Sequence, residues 1–171
     1  MRRRAGVELA GYLDAAVGSG EVARRYLGAL QAAGVAVRAR NVALEGRDSA
    51  MTPVPPARSG RQWATRFNLL CLNPEQLVPY LGSDAAPRRR GRTSVAAWNW
   101  EVDVVPSGWT EAARAVSEVW TCSEFTATFI RDATGAQVVA MPPPLSLSAK
   151  ARPAPPPALP PGFRVLLIFD Y

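Results

Sequence analysis

A short glycine-containing segment near the N-terminus has the residue types of a phosphate-binding loop. The residues "GSGEVA" fit the pattern G-x-G-x-x-A at the head of a helical pattern. Exposed backbone amides and the positive end of a helix dipole would suit a phosphate or a sugar oxygen there. The alternative is structural, since small residues also let a helix approach a sheet closely. The segment makes Gly18, Ser19, Gly20 and Glu21 candidate ligand-binding residues.

Two details separate this segment from a dinucleotide-binding fingerprint. The first glycine should follow a strand directly, but residues 14–17 intervene. An acidic residue should lie about twenty positions further on to bind a ribose hydroxyl, whereas the chain has Arg38 and Arg40 there. Because arginines could accept a 2′-phosphate, an NADP-binding site stays open as an alternative.

A second candidate site is the tryptophan-rich segment "WNWEVDVVPSGW", which follows a predicted strand. Open α/β sheets bind ligands outside the carboxyl ends of their strands. Indole rings offer flat apolar faces to sugar rings, and a carboxylate can accept a hydroxyl hydrogen bond or a proton. Trp98 and Trp100 are therefore candidate substrate-binding residues, and Glu101 is the candidate catalytic residue. The alternative is that the tryptophans are core anchors and the acids are only solvated.

A third candidate is the start of a helix that directly follows a strand. Ser123 is predicted to cap this helix, and Glu124 lies in its first turn. Because the helix begins at the same edge of the sheet, both residues are also candidate ligand contacts.

Several residue types that would define other sites are missing. The chain contains no histidine, which rules out Ser-His-Asp and Cys-His catalysis and the commonest zinc ligand. No P-loop motif is present, and no interleaved basic and aromatic motif supports nucleic-acid binding. Cys71 and Cys122 lie in apolar, strand-like runs, which predicts two reduced, buried thiols. The sequence predicts no metal site.

The elements that must position these residues alternate along the chain. The 171 residues, 48% of them hydrophobic, predict one domain. Strands are predicted over 7–13, 35–42, 67–72, 93–98, 119–121 and 136–141, and helices over 21–33, from 74, over 110–116 and over 124–131. Each strand is nearly continuous in apolar residues, which indicates a parallel sheet covered by helices on both faces. The predicted fold class is Rossmann-like α/β.

Four segments, in this order, resemble the N-terminal domain of retaining, nucleotide-sugar-dependent GT-B glycosyltransferases. They are "GYLDAAVGSGEVARRYLGALQAAGV", "FNLLCLNPEQL", "AAWNWEVDVVPSGW" and "VSEVWTCSEFTATFIRD". The resemblance implies a Rossmann-like acceptor-side domain over 1–141, a Pro-rich linker over 142–162 and the first strand of a donor-binding domain over 163–171. The chain would then be the front half of a truncated two-domain enzyme, and we expect it to have little or no transferase activity alone.

The resemblance also implies a reaction and a set of site residues. A sugar would pass from a nucleotide-sugar donor to a carbohydrate or lipid-linked acceptor, with no further cofactor and with retention of configuration. Gly18, Ser19 and Gly20 would approach the sugar-phosphate of the donor. Trp98 and Glu101 would border the acceptor. In front-face attack the leaving phosphate takes the acceptor proton, so no separate base is needed and Glu101 would only orient the acceptor.

Location and partners follow from what the chain contains. It shows no signal-peptide pattern and no apolar run of membrane-spanning length, which predicts a cytoplasmic protein without an integral membrane segment. The net charge is +6, and nearly all of the positive side chains are arginines. Peripheral contact with an anionic membrane is therefore possible. Two other functions stay open: an NADP-binding oxidoreductase fragment, and a non-catalytic scaffold with a Pro-rich, partner-binding tail.

Overall fold

A computed structural model of the chain describes residues 4–44, 63–145 and 162. Within these ranges six strands alternate with four helices: β1 (Arg4–Gly11), α1 (Gly18–Ala32), β2 (Ala36–Asn41), β3 (Trp63–Cys71), α2 (Pro74–Leu81), β4 (Thr93–Ala97), α3 (Trp109–Arg114), β5 (Glu118–Thr121), α4 (Glu124–Thr134) and β6 (Val138–Ala140). None of these helices is long and apolar enough to cross a bilayer. The predicted final strand, 163–171, and most of the predicted linker lie outside the described residues, so those domain boundaries stay predictions.

The six strands form one all-parallel sheet in the order β2-β1-β3-β4-β5-β6. Parallel neighbours need crossover connections, and in this chain helices supply most of them. The predicted Rossmann-like α/β fold class is therefore confirmed. Strand order reverses once, at β1, because β2 lies on one side of β1 and all later strands lie on the other.

Successive residues of each strand face opposite sides of the sheet, and helices cover both sides. In β3, Leu69 and Cys71 belong to the core cluster formed with α1, whereas Leu70 and the following Leu72 belong to the cluster formed with α2, α3 and α4. Successive side chains of a strand point to opposite faces, which explains why neighbouring residues of β3 belong to different clusters. The central strands β3 and β4 are buried on both faces over residues 69–71 and 95–97, which is why the apolar runs of the sequence are nearly continuous there.

Helix α1 begins earlier than its sequence pattern predicts. It starts at Gly18 rather than at Glu21, so residues 18–20 form its first turn and not a loop. Val17 occupies the N-cap position in an extended conformation and provides no side-chain cap. Glycine and serine are poor helix formers, which is the reason that the pattern alone places the start too late.

The two cysteines differ in burial, which corrects the prediction of two buried thiols. Cys71 ends β3 in the core, and its burial raises the pKa of its thiol to about 12. Cys122 is exposed, because it follows the last residue of β5 and lies outside the sheet. Both are free thiols.

A buried carboxylate lies in β1, where the sequence otherwise reads as apolar. Glu8 is 1% exposed and is paired with Arg40 of β2 and with Arg92, whose Nη1 lies 2.6 Å from Glu8 Oε2. The same Arg92 atom lies 3.3 Å from Asn68 Oδ1, and Asn68 donates to Ser94 Oγ at 3.0 Å. Burial raises the pKa of Glu8, but the hydrogen bonds and charges of the two arginines outweigh it and hold that pKa below its ordinary value.

Candidate functional site

Open α/β sheets bind ligands in a crevice at the carboxyl edge of the sheet. Such a crevice forms where the strand order reverses, outside the carboxyl ends of the strands. In this sheet that point lies beside β1, between the loop of residues 12–17 and residues 72–73, which follow β3. The loops after β4 and β5 end at the same edge because all strands are parallel. Every candidate residue from the sequence lies in one of these loops or in the first turn of the helix after it.

The first turn of α1 is tightly fixed to the loop that follows β1. A Cβ atom on Gly20 would lie 2.5 Å from the carbonyl oxygen of Tyr12 and 2.6 Å from that of Ala15. Arg24 Nη1 donates to the carbonyls of Leu13 and Ala15 at 3.1 and 2.9 Å. Gly20 therefore has a structural reason to be glycine, and Arg24, which the sequence interpretation missed, holds the loop.

The other members of this turn face more open space. A Cβ atom on Gly18 would meet nothing within 4 Å, and no side chain caps the helix. Glu21 is half exposed and binds Arg25 at 2.9 Å and Arg24 at 3.2 Å. The hydrogen bond from Arg25 is the main cause of a lowered pKa for Glu21. The two arginine charges outnumber this carboxylate, so the charges of the turn do not disfavour a phosphate.

Trp98 lies in the core and not on the surface of the crevice. Its side chain is 1% exposed and meets Trp109 edge-on, with ring centroids 5.2 Å apart. Its Nε1 has no hydrogen-bond partner among the described residues. The structure favours the core-anchor interpretation for Trp98 and for Trp109, which is also buried.

Trp100 and Glu101 lie further along the same loop and are more accessible. Trp100 is partly buried, with its ring centroid 4.6 Å from that of Trp109. Its Nε1 donates to the carbonyl of Val104 at 3.0 Å, which folds the loop back on itself. Glu101, the next residue in the chain, is exposed. The loop therefore carries an exposed acid directly after a tryptophan whose ring is held by a hydrogen bond and a ring contact.

Asn73 fixes this loop to the end of β3, a role that the sequence interpretation missed. Its Oδ1 accepts from the backbone N–H of Asn99 at 2.9 Å, and its Nδ2 donates to the carbonyl of Asn99 at 3.2 Å. Asn73 does occupy the predicted N-cap position of α2, but its side chain makes no cap hydrogen bond. An asparagine before a Pro-led helix fits either role, and only the tertiary structure distinguishes them.

The start of α4 is joined to the same loop. Ser123 Oγ accepts from the backbone N–H of Thr126 at 3.2 Å, which confirms the predicted cap. Thr126 Oγ1 lies 3.0 Å from Ser123 Oγ and 3.3 Å from the carbonyl oxygen of Trp100, to which it donates. Glu124 is 79% exposed, and its closest cation is Arg131 at 4.0 Å. Hydrogen bonds therefore connect the loop of residues 98–108 after β4, here called the β4 loop, to the ends of both neighbouring strands.

The candidate residues form two groups at one edge of the sheet. Trp100 and Ser123 belong to a group that is hydrogen-bonded through Thr126, and Glu101 and Glu124 are the exposed acids that follow these two residues in the chain. Residues 18–21 lie separately, in the first turn of α1. Within residues 4–44 and 63–145 no three cysteine or acidic side chains converge as metal ligands would. No protein-family model, no curated protein and no solved structure matches this chain.

Proposed function

We propose that the chain is the acceptor-side half of a retaining, nucleotide-sugar-dependent glycosyltransferase of the GT-B type. The observation that carries the proposal is the β4 loop at the carboxyl edge, in which the exposed Glu101 directly follows Trp100, whose partly buried ring is held by a hydrogen bond to the Val104 carbonyl. The ordered resemblance of four segments to that enzyme family supports the same function. A cytoplasmic location belongs to this proposal, as do a nucleotide-sugar donor and a carbohydrate or lipid-linked acceptor.

The proposed roles follow from the chemistry of each group. An acceptor sugar would lie against the ring of Trp100, and one of its hydroxyls would donate to Glu101. The attacking hydroxyl oxygen would bond to the anomeric carbon while the bond from that carbon to the phosphate oxygen breaks. The leaving phosphate would take the hydroxyl proton, so Glu101 positions the acceptor and does not need to act as a base. Trp98 would support the loop from beneath, because its ring is buried.

Binding to the described edge can be measured without a complete active site. We expect millimolar concentrations of simple hexoses or disaccharides to change the tryptophan fluorescence of the full chain, since Trp100 would contact them. Glu101→Gln and Trp100→Leu should weaken this binding about tenfold, the loss of one charge-assisted hydrogen bond or one stacked ring. Because Trp100→Leu removes the fluorescent reporter, its affinity is measured by calorimetric titration. The matched control is Glu111→Gln, which changes an exposed acid in α3 and should leave binding unchanged.

Two results would contradict the proposal. One is that no carbohydrate changes the fluorescence or protects the β4 loop from hydrogen exchange. The other is micromolar binding of NADPH that depends on Arg38, which would favour the oxidoreductase alternative. Of the two arginines that this alternative needs, Arg40 is already paired with Glu8, although its side chain is 39% exposed. The Pro-rich segment on which a scaffold function would depend lies largely outside the described residues.

A further inference from the structure

The amino edge of the sheet, opposite the candidate site, carries an excess of positive charge. Arg66 lies near the start of β3, and Arg88, Arg89 and Arg90 form the loop before β4. Among the described residues none of these four forms a salt bridge. Arginines at the carboxyl edge differ, because Arg24 and Arg25 both pair with Glu21. The amino edge therefore offers guanidinium groups that described acids do not neutralise.

An exposed aromatic side chain lies beside Arg66 at this edge. Phe67 belongs to β3, a strand with neighbours on both sides, yet it is 43% exposed. Strands inside a parallel sheet are normally covered on both faces. Phe67 lines a cleft of about 380 Å³ together with Arg66, Gly91, Arg92 and Thr93. The cleft thus combines a free ring face with guanidinium groups.

One wall of the cleft is held rigidly from inside the protein. Arg92 Nη1 lies 2.6 Å from Glu8 Oε2, and Glu8 is buried, so the guanidinium has a fixed anchor. The backbone N–H of Arg92 donates to the carbonyl of Arg89 at 2.9 Å, which closes the turn that contains Gly91. Gly91 has φ +74°, a conformation that suits glycine. A guanidinium positioned in this way loses little side-chain entropy when an anion binds.

We propose that this cleft binds a nucleoside phosphate, at a site separate from the proposed transferase edge. Guanidinium groups match phosphate oxygens in a bidentate geometry. A planar base would stack on Phe67 and cover the apolar surface that the sheet leaves exposed. The volume lies within the range of about 300–1,000 Å³ that small-molecule sites have.

A different explanation for basic residues at this edge is that they complement helix dipoles. Helices α3 and α4 point their carboxyl ends toward the amino edge of the sheet, and Arg114 and Arg131 lie in their last turns. The residues that line the cleft lie in strands and in a loop, so no helix dipole accounts for them. Arg114 is accordingly the matched control, an exposed arginine outside the cleft.

Calorimetric titration of the full chain tests the proposal with ADP, inorganic phosphate and adenosine as separate probes. We expect one ADP per chain, bound at least tenfold more tightly than either fragment, because base and phosphate contacts act together. Arg66→Gln and Phe67→Leu should each weaken ADP binding about tenfold, the effect of one phosphate contact or one stacked base. Phe67→Tyr should retain the affinity, since it keeps the ring, and Arg114→Gln should leave it unchanged.

Three outcomes would overturn the proposal. If ADP does not bind at millimolar concentration, the proposed site does not exist. An equal loss in Arg114→Gln and Arg66→Gln indicates general attraction of anions to a basic surface. Weaker ADP binding in Glu101→Gln, with Arg66→Gln unaffected, places the nucleotide at the carboxyl edge. Circular dichroism of each variant tests whether the fold is retained. If both variants are folded, loss of ADP binding in Phe67→Leu and its retention in Phe67→Tyr show that the aromatic ring contacts the ligand.

Discussion

Replacing Gly20 by alanine tests how tightly the first turn of α1 lies against the loop after β1. The added Cβ would lie 2.5 Å from the carbonyl oxygen of Tyr12, and Cβ contacts under 3.0 Å are essentially never found. The helix or the loop must therefore move by at least 0.5 Å, the difference between these distances. Both contacts are to backbone atoms, so no side-chain rotation relieves them.

The size of the effect can be separated from the intrinsic preference for alanine in helices. Any alanine in place of a helical glycine stabilises by roughly 0.5–1 kcal/mol. Gly18 lies in the same turn with open space around it, so Gly18→Ala has this gain without a clash. Overpacking against fixed atoms costs about 1–3 kcal/mol. We therefore expect Gly20→Ala to be about 1–3 kcal/mol less stable than Gly18→Ala.

Urea denaturation of the two variants and of the unchanged chain, followed by circular dichroism, measures this difference. The same displacement should raise hydrogen exchange in the loop of residues 12–17, because that loop contains the carbonyl groups that must move. If the two variants unfold within about 0.5 kcal/mol of each other, a difference that ordinary surface substitutions also produce, the close approach at Gly20 is refuted.

Three further predictions concern the groups that hold the sheet and its carboxyl edge. Glu8→Gln should lower the free energy of unfolding by about 3 kcal/mol, because two arginines lose a buried partner while Arg40 stays partly solvated. The lowered pKa of Glu8 makes its contribution complete at neutral pH and lost as the pH falls below 4.5 through the folded-state pKa, so Glu8→Gln should flatten the acid limb of a stability-against-pH curve. Ser123→Ala should destabilise by about 1 kcal/mol, the usual value of a helix cap, in thermal unfolding. Asn73→Ala should cost about 1–2 kcal/mol in urea denaturation and increase hydrogen exchange at Asn99, because two hydrogen bonds to that residue are lost.

Matched variants distinguish these effects from general destabilisation. Glu111→Gln removes an exposed acid and should not change the acid limb; a change as large as that of Glu8→Gln would contradict the role of the buried pair. Thr128→Ala removes a hydroxyl from α4 outside the cap, so an equal loss there would argue against the cap. Asn73→Asp retains the acceptor for the Asn99 N–H. We therefore expect slower hydrogen exchange in the β4 loop of Asn73→Asp than in that of Asn73→Ala.

Much of the fold could be predicted because apolar runs and helix signals agree locally. The runs around Leu69 and Val95 predicted buried strands, since a residue on either face of a covered sheet must be apolar. Ser123 predicted a cap that the structure confirms. Glu8 did not reveal its buried state, because the arginines that make its burial tolerable are 32 and 84 residues away.

The candidate site was likewise predicted only in part from the sequence. The chain alone placed Trp100, Glu101 and Ser123 at the carboxyl ends of strands, because the order of strands and helices already determines which loops reach that edge. Only the tertiary structure decided that Trp98 is buried, that Cys122 is exposed and that Asn73 holds the β4 loop instead of capping α2. Local sequence determines which element a residue joins, but which of its faces is covered depends on residues far along the chain that folding brings beside it.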